Sequence, residues 1–283
     1  MKGRHVAITG PTAGIGRATS LELARRGASL TLFCRNRDKA DDLCRDIVAV
    51  GGEEPAVIEM DMASLDSVRR AAGVFNAESP RLDVLLNNAG VINTSRKETV
   101  DGYEETLAVN HFAPFLLTGL LLPALLRAKS ARIVNVSSDA HTFVRGMGFE
   151  DMQATGGFRT FREYGRSKLA NILFTRKLAR DLEGHNVTVN CLHPGAVSTS
   201  LGTQNGGLAA MLLPLLLKPF FQTPEQGART SVYLCCNDEV AAVTGGYFVK
   251  SKPRKPRPWA LDDEAADQLW AYTEQQLDFH YPL

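Results

Sequence analysis

The chain has 283 residues, 44% of them hydrophobic and 22% charged, with a formal net charge of +1. Such a chain can bury a substantial core as one α/β domain, and its near-neutral charge gives no global field to recruit nucleic acid or an acidic partner. Five cysteines with no paired spacing argue against a disulfide framework and for a reducing compartment, and no CxxC or His/Cys cluster points to a metal.

Met1 to Arg4 runs directly into a predicted strand, His5 to Thr9, leaving no room for a signal peptide or N-terminal anchor. The cytoplasm is therefore the expected location. Thr9-Gly10-Pro11-Thr12-Ala13-Gly14-Ile15-Gly16 follows, and a helix is predicted from Ile15 to Arg26. Glycines at a strand-to-helix turn let the backbone bend tightly and let a pyrophosphate approach the free N–H groups of the helix N-terminus. The spacing G-x-x-x-G-x-G departs from the usual dinucleotide fingerprint G-x-G-x-x-G. Its position after the first strand favours a dinucleotide site at Gly10, Thr12, Gly14, Ile15 and Gly16 over a plain tight turn.

The second strand, Ser29 to Cys34, ends at Arg35-Asn36-Arg37. In a dinucleotide fold an acid near here bonds the ribose of NAD, whereas an arginine accommodates the 2′-phosphate of NADP. The acid is missing and Arg35 is present, so NADP is the expected cofactor. The plainer alternative is that Arg35 and Arg37 are exposed helix-cap charges.

Helices are then predicted at Asp38 to Val50, Leu65 to Phe75, Tyr103 to Arg127, Tyr164 to Leu182 and Pro224 to Cys235. Strands alternate with them at Ala56 to Met60, Asp83 to Asn87, Arg132 to Ser137, Val187 to Leu192 and Gly246 to Val249. Strands apolar on both faces between helices imply a parallel sheet covered on both sides, a doubly wound Rossmann fold that binds ligands at the strands' carboxyl ends. Residues 1–250 read as one catalytic domain and 251–283 as an extension of it. Two segments on the ligand side, 139–163 and 195–223, break the alternation. Leu208 to Phe221 within the second is too short to span a bilayer and is interrupted by Pro214 and Pro219. The tail holds a Pro/basic stretch, Lys252 to Pro258, read as a solvated connector, and a helix from Asp262 to Leu277.

Tyr164 and Lys168 lie four residues apart, so both side chains leave one face of their helix. A phenol titrates near about 10 and transfers protons poorly at neutral pH; an ammonium beside it stabilises the phenolate and lowers that value. Alone, such a pair is a weak signal.

The joint pattern is specific. The glycine loop, Asn87-Asn88-Ala89-Gly90, Asn110, Ser137-Ser138, Tyr164-x-x-x-Lys168 and Pro194-Gly195 occur in the order found in short-chain dehydrogenases/reductases, and the likeness covers roughly Lys2 to Val249. Val109-Asn110-His111, Ile133 to Ser138, Ser167 to Phe174 and His193-Pro194-Gly195 resemble the retinol dehydrogenase-like branch. The resemblance implies Tyr164 as proton donor or acceptor, Lys168 as its tuner and ribose ligand, and Ser138 as the partner of the reacting oxygen. It implies Asn110 as support for a water in a proton relay, Asp61 as an adenine contact, and Asn87, Ala89 and Gly90 beside the cofactor. Pro194, Gly195, Val197 and Thr199 would border the nicotinamide. Read singly, Ser138 is also a plausible turn residue, Asn110 a capping group and Asp61 a helix N-cap.

The implied enzyme is an NADP-dependent oxidoreductase acting on a small lipophilic carbonyl or alcohol, retinal/retinol-like or another apolar aldehyde or ketone. Phe143, Phe149, Phe158 and Phe161 are candidates to line its pocket. The apolar 208–221 segment is a candidate substrate lid, with a core-packed helix, a membrane-surface contact or a subunit contact as alternatives. A steroid or other lipid-carbonyl reductase shares every motif, a protochlorophyllide reductase shares the fold and the Tyr/Lys pair, and an idle nucleotide-sensing protein would retain the fold without turnover. The family's habit makes a homodimer through the helices from Tyr103 and Tyr164 a further expectation. The N-terminal membrane segment of many animal retinol dehydrogenases has no counterpart here, and no transmembrane segment is expected. His111, His141 and His193 are expected to be structural.

Overall fold

Alternation within each strand decides how the layers assemble. In the computed structural model, which describes residues 1–79, 81–195 and 222–283, Val6, Ile8, Val84, Leu86, Val134 and Leu192 face one side of the sheet. Ala7, Leu85, Ile133 and Val189 face the other. The first set packs with Leu23, Leu43 and Ile47, the second with Phe75, Phe112, Phe115 and Leu173, so both faces are covered.

The strands are β1 (His5–Thr9), β2 (Ser29–Cys34), β3 (Ala56–Glu59), β4 (Val84–Asn87), β5 (Ala131–Val136), β6 (Val187–His193), β7 (Tyr247–Val249) and β8 (Lys252–Pro253). They lie in the order β3-β2-β1-β4-β5-β6-β7-β8, all pairings parallel except β7 with β8. The described helices are α1 (Gly14–Arg25), α2 (Arg37–Ala49), α3 (Leu65–Glu78), α4 (Glu105–Leu126), α5 (Thr160–Asp181), α6 (Pro224–Cys236) and α7 (Asp263–Leu277). Strand order reverses between β1 and β4, which opens a ligand crevice at their carboxyl ends. This is the doubly wound α/β fold expected from the sequence, as a single domain.

Three elements differ from their sequence reading. Helix α4 starts at Glu105, where the Glu104 carboxylate accepts the Thr106 and Leu107 N–H groups at 2.8 Å each, and it contains a π turn over Ala108–Phe112. By length and composition α4 could cross a membrane, but 83% of its most apolar window is buried against the rest of the chain. Helix α5 begins at Thr160, so Tyr164 sits a full turn inside it; the polar start carries no apolar periodicity to mark it. The Pro/basic stretch is solvent-exposed, as read from the sequence, but its first residues also extend the sheet edge. Lys252–Pro253 pairs with β7, the Arg254 N–H donates to the Tyr247 carbonyl at 2.8 Å, and the Trp259 indole donates to the His141 carbonyl at 3.1 Å. An edge strand tolerates the proline because its outer side needs no donor.

The C-terminal segment covers part of α4 and α5, the helices expected to meet in a homodimer. Arg176 and Arg180 pair with Asp263 at 2.9 and 2.8 Å, and the Tyr281 hydroxyl donates to the Phe115 carbonyl at 2.7 Å. Gly119 makes room for this tail, since a Cβ there would fall 2.4 Å from the Phe279 ring.

Candidate active site

Ser138 follows β5 and caps the short 3₁₀ turn Asp139–Phe143, its Oγ accepting the Ala140 N–H at 3.1 Å. Ser138 is also the one group that opposes the upward shift of the Tyr164 phenol, which remains partly exposed at the crevice. Lys168 Nζ lies 5.6 Å from the centroid of the Tyr164 ring and donates to the Val136 carbonyl at 3.0 Å. The spacing suggested that the ammonium lowers the phenol; here burial outweighs it. Desolvation pushes Tyr164 up to about 12, with only Ser138 pulling it back, and the same cause pushes Lys168 down to about 8.

Asn110 sits in the π turn of α4, a distortion that recurs at functional sites. Its Oδ1 accepts the Val91 N–H at 2.7 Å, and its Nδ2 donates to the Val91 carbonyl and to Ser167 Oγ, both at 2.9 Å. Through these bonds Asn110 ties the loop following Gly90 to α5. A Cβ on Gly90 would lie 3.2 Å from Asn110 Oδ1 and 3.4 Å from Lys168 Nζ. Four segments thus converge on one corner of the crevice, bringing Gly90, Asn110, Ser138, Tyr164 and Lys168 together.

The glycine loop forms the adjoining wall. Gly10 and Gly14 have φ of +61° and +51°, and a Cβ on Gly16 would collide with the Gly10 carbonyl oxygen at 2.1 Å. Helix α1 has neither a side-chain N-cap nor an acid in its first turn, so its N–H groups and dipole remain suited to an anion. Ile15 is buried beneath the loop, and Thr12 borders a hollow of about 470 Å³ shared with Arg17, Lys39, Asp42, Arg45 and Asp46. A dinucleotide pyrophosphate fits this cradle.

Residues 4–206 match the family model described as short chain dehydrogenase. The chain belongs to the short-chain dehydrogenase family. Retinol dehydrogenase 14 of Mus musculus is 44% identical over 97% of this chain and 86% of its own length. Retinol dehydrogenase 13 of Homo sapiens is 40% identical over 99% and 86%, which sets the chain in the retinol dehydrogenase-like branch of the short-chain dehydrogenases. Among solved structures, an uncharacterized protein from Mycobacterium Paratuberculosis superposes with a TM-score of 0.80 at 32% identity, covering 100% of this chain and 96% of that one. RhlG of Pseudomonas aeruginosa, solved as an NADP active-site complex, gives 0.71 at 26% identity over 88% and 94%.

The remaining positions singled out for a short-chain dehydrogenase are distributed unevenly. Arg35 is exposed at the end of β2 and has no ion-pair partner among the described residues, whereas Arg37 pairs with Asp41 at 2.9 Å. Asp61 closes a turn on the Ala63 N–H at 3.0 Å, and the true N-cap of α3 is Ser64. Ala89 backs the loop, its Cα 3.0 Å from where a Gly10 Cβ would stand. The Asn87 side chain faces the sheet interior, donating to Thr118 Oγ1 at 3.0 Å and Asn135 Oδ1 at 2.8 Å, so it braces β4 rather than lining the crevice. Pro194 and Gly195 follow β6, with Gly195 at φ +94°. Val197, Thr199 and the apolar 208–221 segment lie outside the described residues. Of the four phenylalanines, Phe143 and Phe161 are exposed and meet edge to face at 6.0 Å, Phe158 is half-buried, and Phe149 packs on the core.

Thr9, Asn88 and Ser137 stand within the sequence motifs, but sequence reasoning did not foresee the bonds they make. Thr9 Oγ1 accepts the Asn88 and Ala89 N–H groups at 3.0 Å, while Asn88 Nδ2 donates to the Thr9 and Gly10 carbonyls at 2.9 Å. Ser137 Oγ donates to the Lys168 carbonyl at 2.7 Å. Each hydroxyl or amide sits at a strand's carboxyl end, which is the one signal that could have marked it.

Proposed function

We propose that the protein is an NADP-dependent oxidoreductase that interconverts an apolar carbonyl and its alcohol. The observation carrying this is the convergence of Ser138, the Tyr164 phenol and the Lys168 ammonium at the carboxyl end of a parallel sheet. The nicotinamide, when bound, supplies the hydride chemistry. Held up at about 12, Tyr164 keeps its proton at neutral pH and is suited to give it to a carbonyl oxygen while Ser138 donates a second hydrogen bond to the same oxygen. Lys168, still mostly protonated below about 8, holds positive charge where the tyrosinate would develop.

Arg35 and Lys39 favour the 2′-phosphorylated cofactor, and the likeness to RhlG, solved with NADP, supports that choice. The kinship with proteins named retinol dehydrogenase supports a lipophilic, retinal- or retinol-like substrate. Five free thiols fit a reducing compartment, and the cytoplasm is the location we assign. The test is turnover of NADPH and NADH against retinal, steroids, aliphatic aldehydes and quinones, with Tyr164→Phe as control. Turnover in the control equal to wild type, or none by wild type with any carbonyl despite NADPH binding, would overturn the proposal.

A further inference from the structure

Two histidines set aside by the mechanism grip the one peptide unit that follows Ser138. The His193 ring accepts the Asp139 N–H at Nδ1, 3.2 Å away, and its Nε2 lies 3.4 Å from Asp139 Oδ2. The second carboxylate oxygen, Oδ1, accepts the Tyr247 hydroxyl at 2.7 Å. At the carbonyl end of the same peptide, His141 Nδ1 meets the Ser138 oxygen at 2.8 Å, and His141 Nε2 accepts the Arg257 N–H at 3.4 Å. His141 and Tyr247 also pack edge to face at 5.4 Å.

These contacts fix tautomers. A carbonyl cannot donate, so His141 carries its proton on Nδ1 and accepts on Nε2. His193 accepts on Nδ1, so its proton is on Nε2, facing Asp139. Each ring is thereby required to be neutral, because a second proton would set one N–H against another. The charged and titratable groups facing the pair are Asp139, Tyr247, Arg254 and Arg257, and burial already holds both imidazoles below their ordinary range.

We infer that His193 is a positioning residue for Ser138: neutral, it struts the end of β6 against the Ser138–Asp139 peptide and keeps the Ser138 hydroxyl aimed at Tyr164. His193 immediately precedes Pro194-Gly195, so the strut also ties the turn expected beside the nicotinamide to the serine across the crevice. Protonating it releases the Asp139 N–H and loosens the turn that Ser138 caps. The inference rests on the proposed redox chemistry for its kinetic consequence, but the hydrogen bonds stand without it.

Three measurements test it on the full chain. In wild type, kcat with NADPH and a turned-over carbonyl is expected to fall on the acid side while NADPH affinity holds. His193→Asn places a non-titrating oxygen near the Nδ1 position, so it should keep kcat close to wild type at pH 7.5 and make the acid limb shallower. His193→Phe, which cannot accept the bond, should lower kcat about 10- to 100-fold with NADPH binding intact, the usual consequence of a misplaced catalytic group. A His193→Phe variant with wild-type kcat overturns the inference, as does an Asn variant whose acid limb superimposes on wild type. Ring ¹⁵N chemical shifts read the tautomer with no turnover at all: a proton on His193 Nε2 at pH 7.5 supports the strut, and one on Nδ1 sinks it whatever the enzyme reduces.

Discussion

Lys168 holds its ammonium 5.6 Å from the centre of the Tyr164 ring, yet spends its hydrogen bond on the Val136 carbonyl rather than on the phenol. Lys168 is 4% exposed, with its amine pushed down from 10.5 to about 8. Between about 8 and 10.5 the unfolded chain binds this proton and the folded one does not, so stability rises with pH across that window. Below it, the folded state carries the full penalty of a buried charge. The shift corresponds to about 3 kcal/mol at neutral pH, offset in part by about 1 kcal/mol from the bond to Val136. Lys168→Met is therefore expected to abolish turnover and raise the melting temperature at pH 7 by a few degrees. A variant that melts lower than wild type would show that the ammonium stabilises the fold.

Arg35 tests cofactor choice. Exposed and unpaired among the described residues, it costs the fold little to replace. Arg35→Asp should leave the melting temperature within about a degree of wild type and shift preference from NADPH toward NADH by about 10-fold or more, since a carboxylate repels the 2′-phosphate and can bond a ribose hydroxyl. Ratios of kcat/KM for the two cofactors read the outcome; an unchanged ratio removes Arg35 from cofactor discrimination.

The parallel sheet was legible because its strands are short apolar runs between longer amphipathic patterns, and β1 and β2 matched their predicted bounds. Ser138, Tyr164, Lys168 and the glycine loop were legible because their chemistry depends on residue type and spacing. Direction was not. Nothing in the order of residues reveals that Asn87 turns toward Thr118 and Asn135, that both ends of the Asn110 amide are held by Val91, or that Lys168 reaches the Val136 carbonyl. The π turn was hidden for the same reason: a one-residue change in winding leaves the apolar run of α4 intact. The solvent exposure of Lys252–Pro253 was legible, but their pairing with β7 was not, because composition does not show that a sheet edge lies beside them.

Arg166, two residues beyond Tyr164, anchors the segment inserted between Ser138 and Tyr164. Its guanidinium donates to the carbonyls of Met147 at 2.6 Å and of Gly148 and Asp151 at 2.8 Å, and pairs with Glu163 at 2.8 Å while only 7% exposed. Arg166→Met would leave the Met147 carbonyl without its donor, remove one of two donors from the Gly148 and Asp151 carbonyls, and leave a buried carboxylate held only by Arg162, a loss of about 3–5 kcal/mol. Arg166→Lys supplies the charge without the planar fork and should recover part of the stability. Because this segment carries Phe143 beside Ser138, KM for a bulky apolar substrate should rise more than for a small aldehyde in the Lys variant. Equal changes for both would detach the insertion from substrate selection.

His111 makes the fold acid-sensitive in a way that can be isolated. The Thr273 hydroxyl gives its proton to the Leu269 carbonyl at 2.7 Å, so it must accept at 2.9 Å from His111 Nε2, and the buried Nδ1 has no partner. A proton there would be both desolvated and unbonded, and burial pushes the imidazole down from 6.5 to about 3. From pH 6.5 downward the unfolded chain takes up this proton while the folded chain does not, so stability falls by about 1.4 kcal/mol per pH unit until the native ring protonates. Between pH 7.5 and 5 that amounts to about 2 kcal/mol for this one group. His111→Gln removes the titration and retains an amide able to donate toward Thr273, so its urea-unfolding free energy should drop by about 2 kcal/mol less than wild type over that interval. His5, His141 and His193 are also held below their ordinary range, so a residual acid dependence is expected to persist in the variant. If wild type and His111→Gln lose stability in parallel from pH 7.5 to 5, the buried ring is not the group that senses acid.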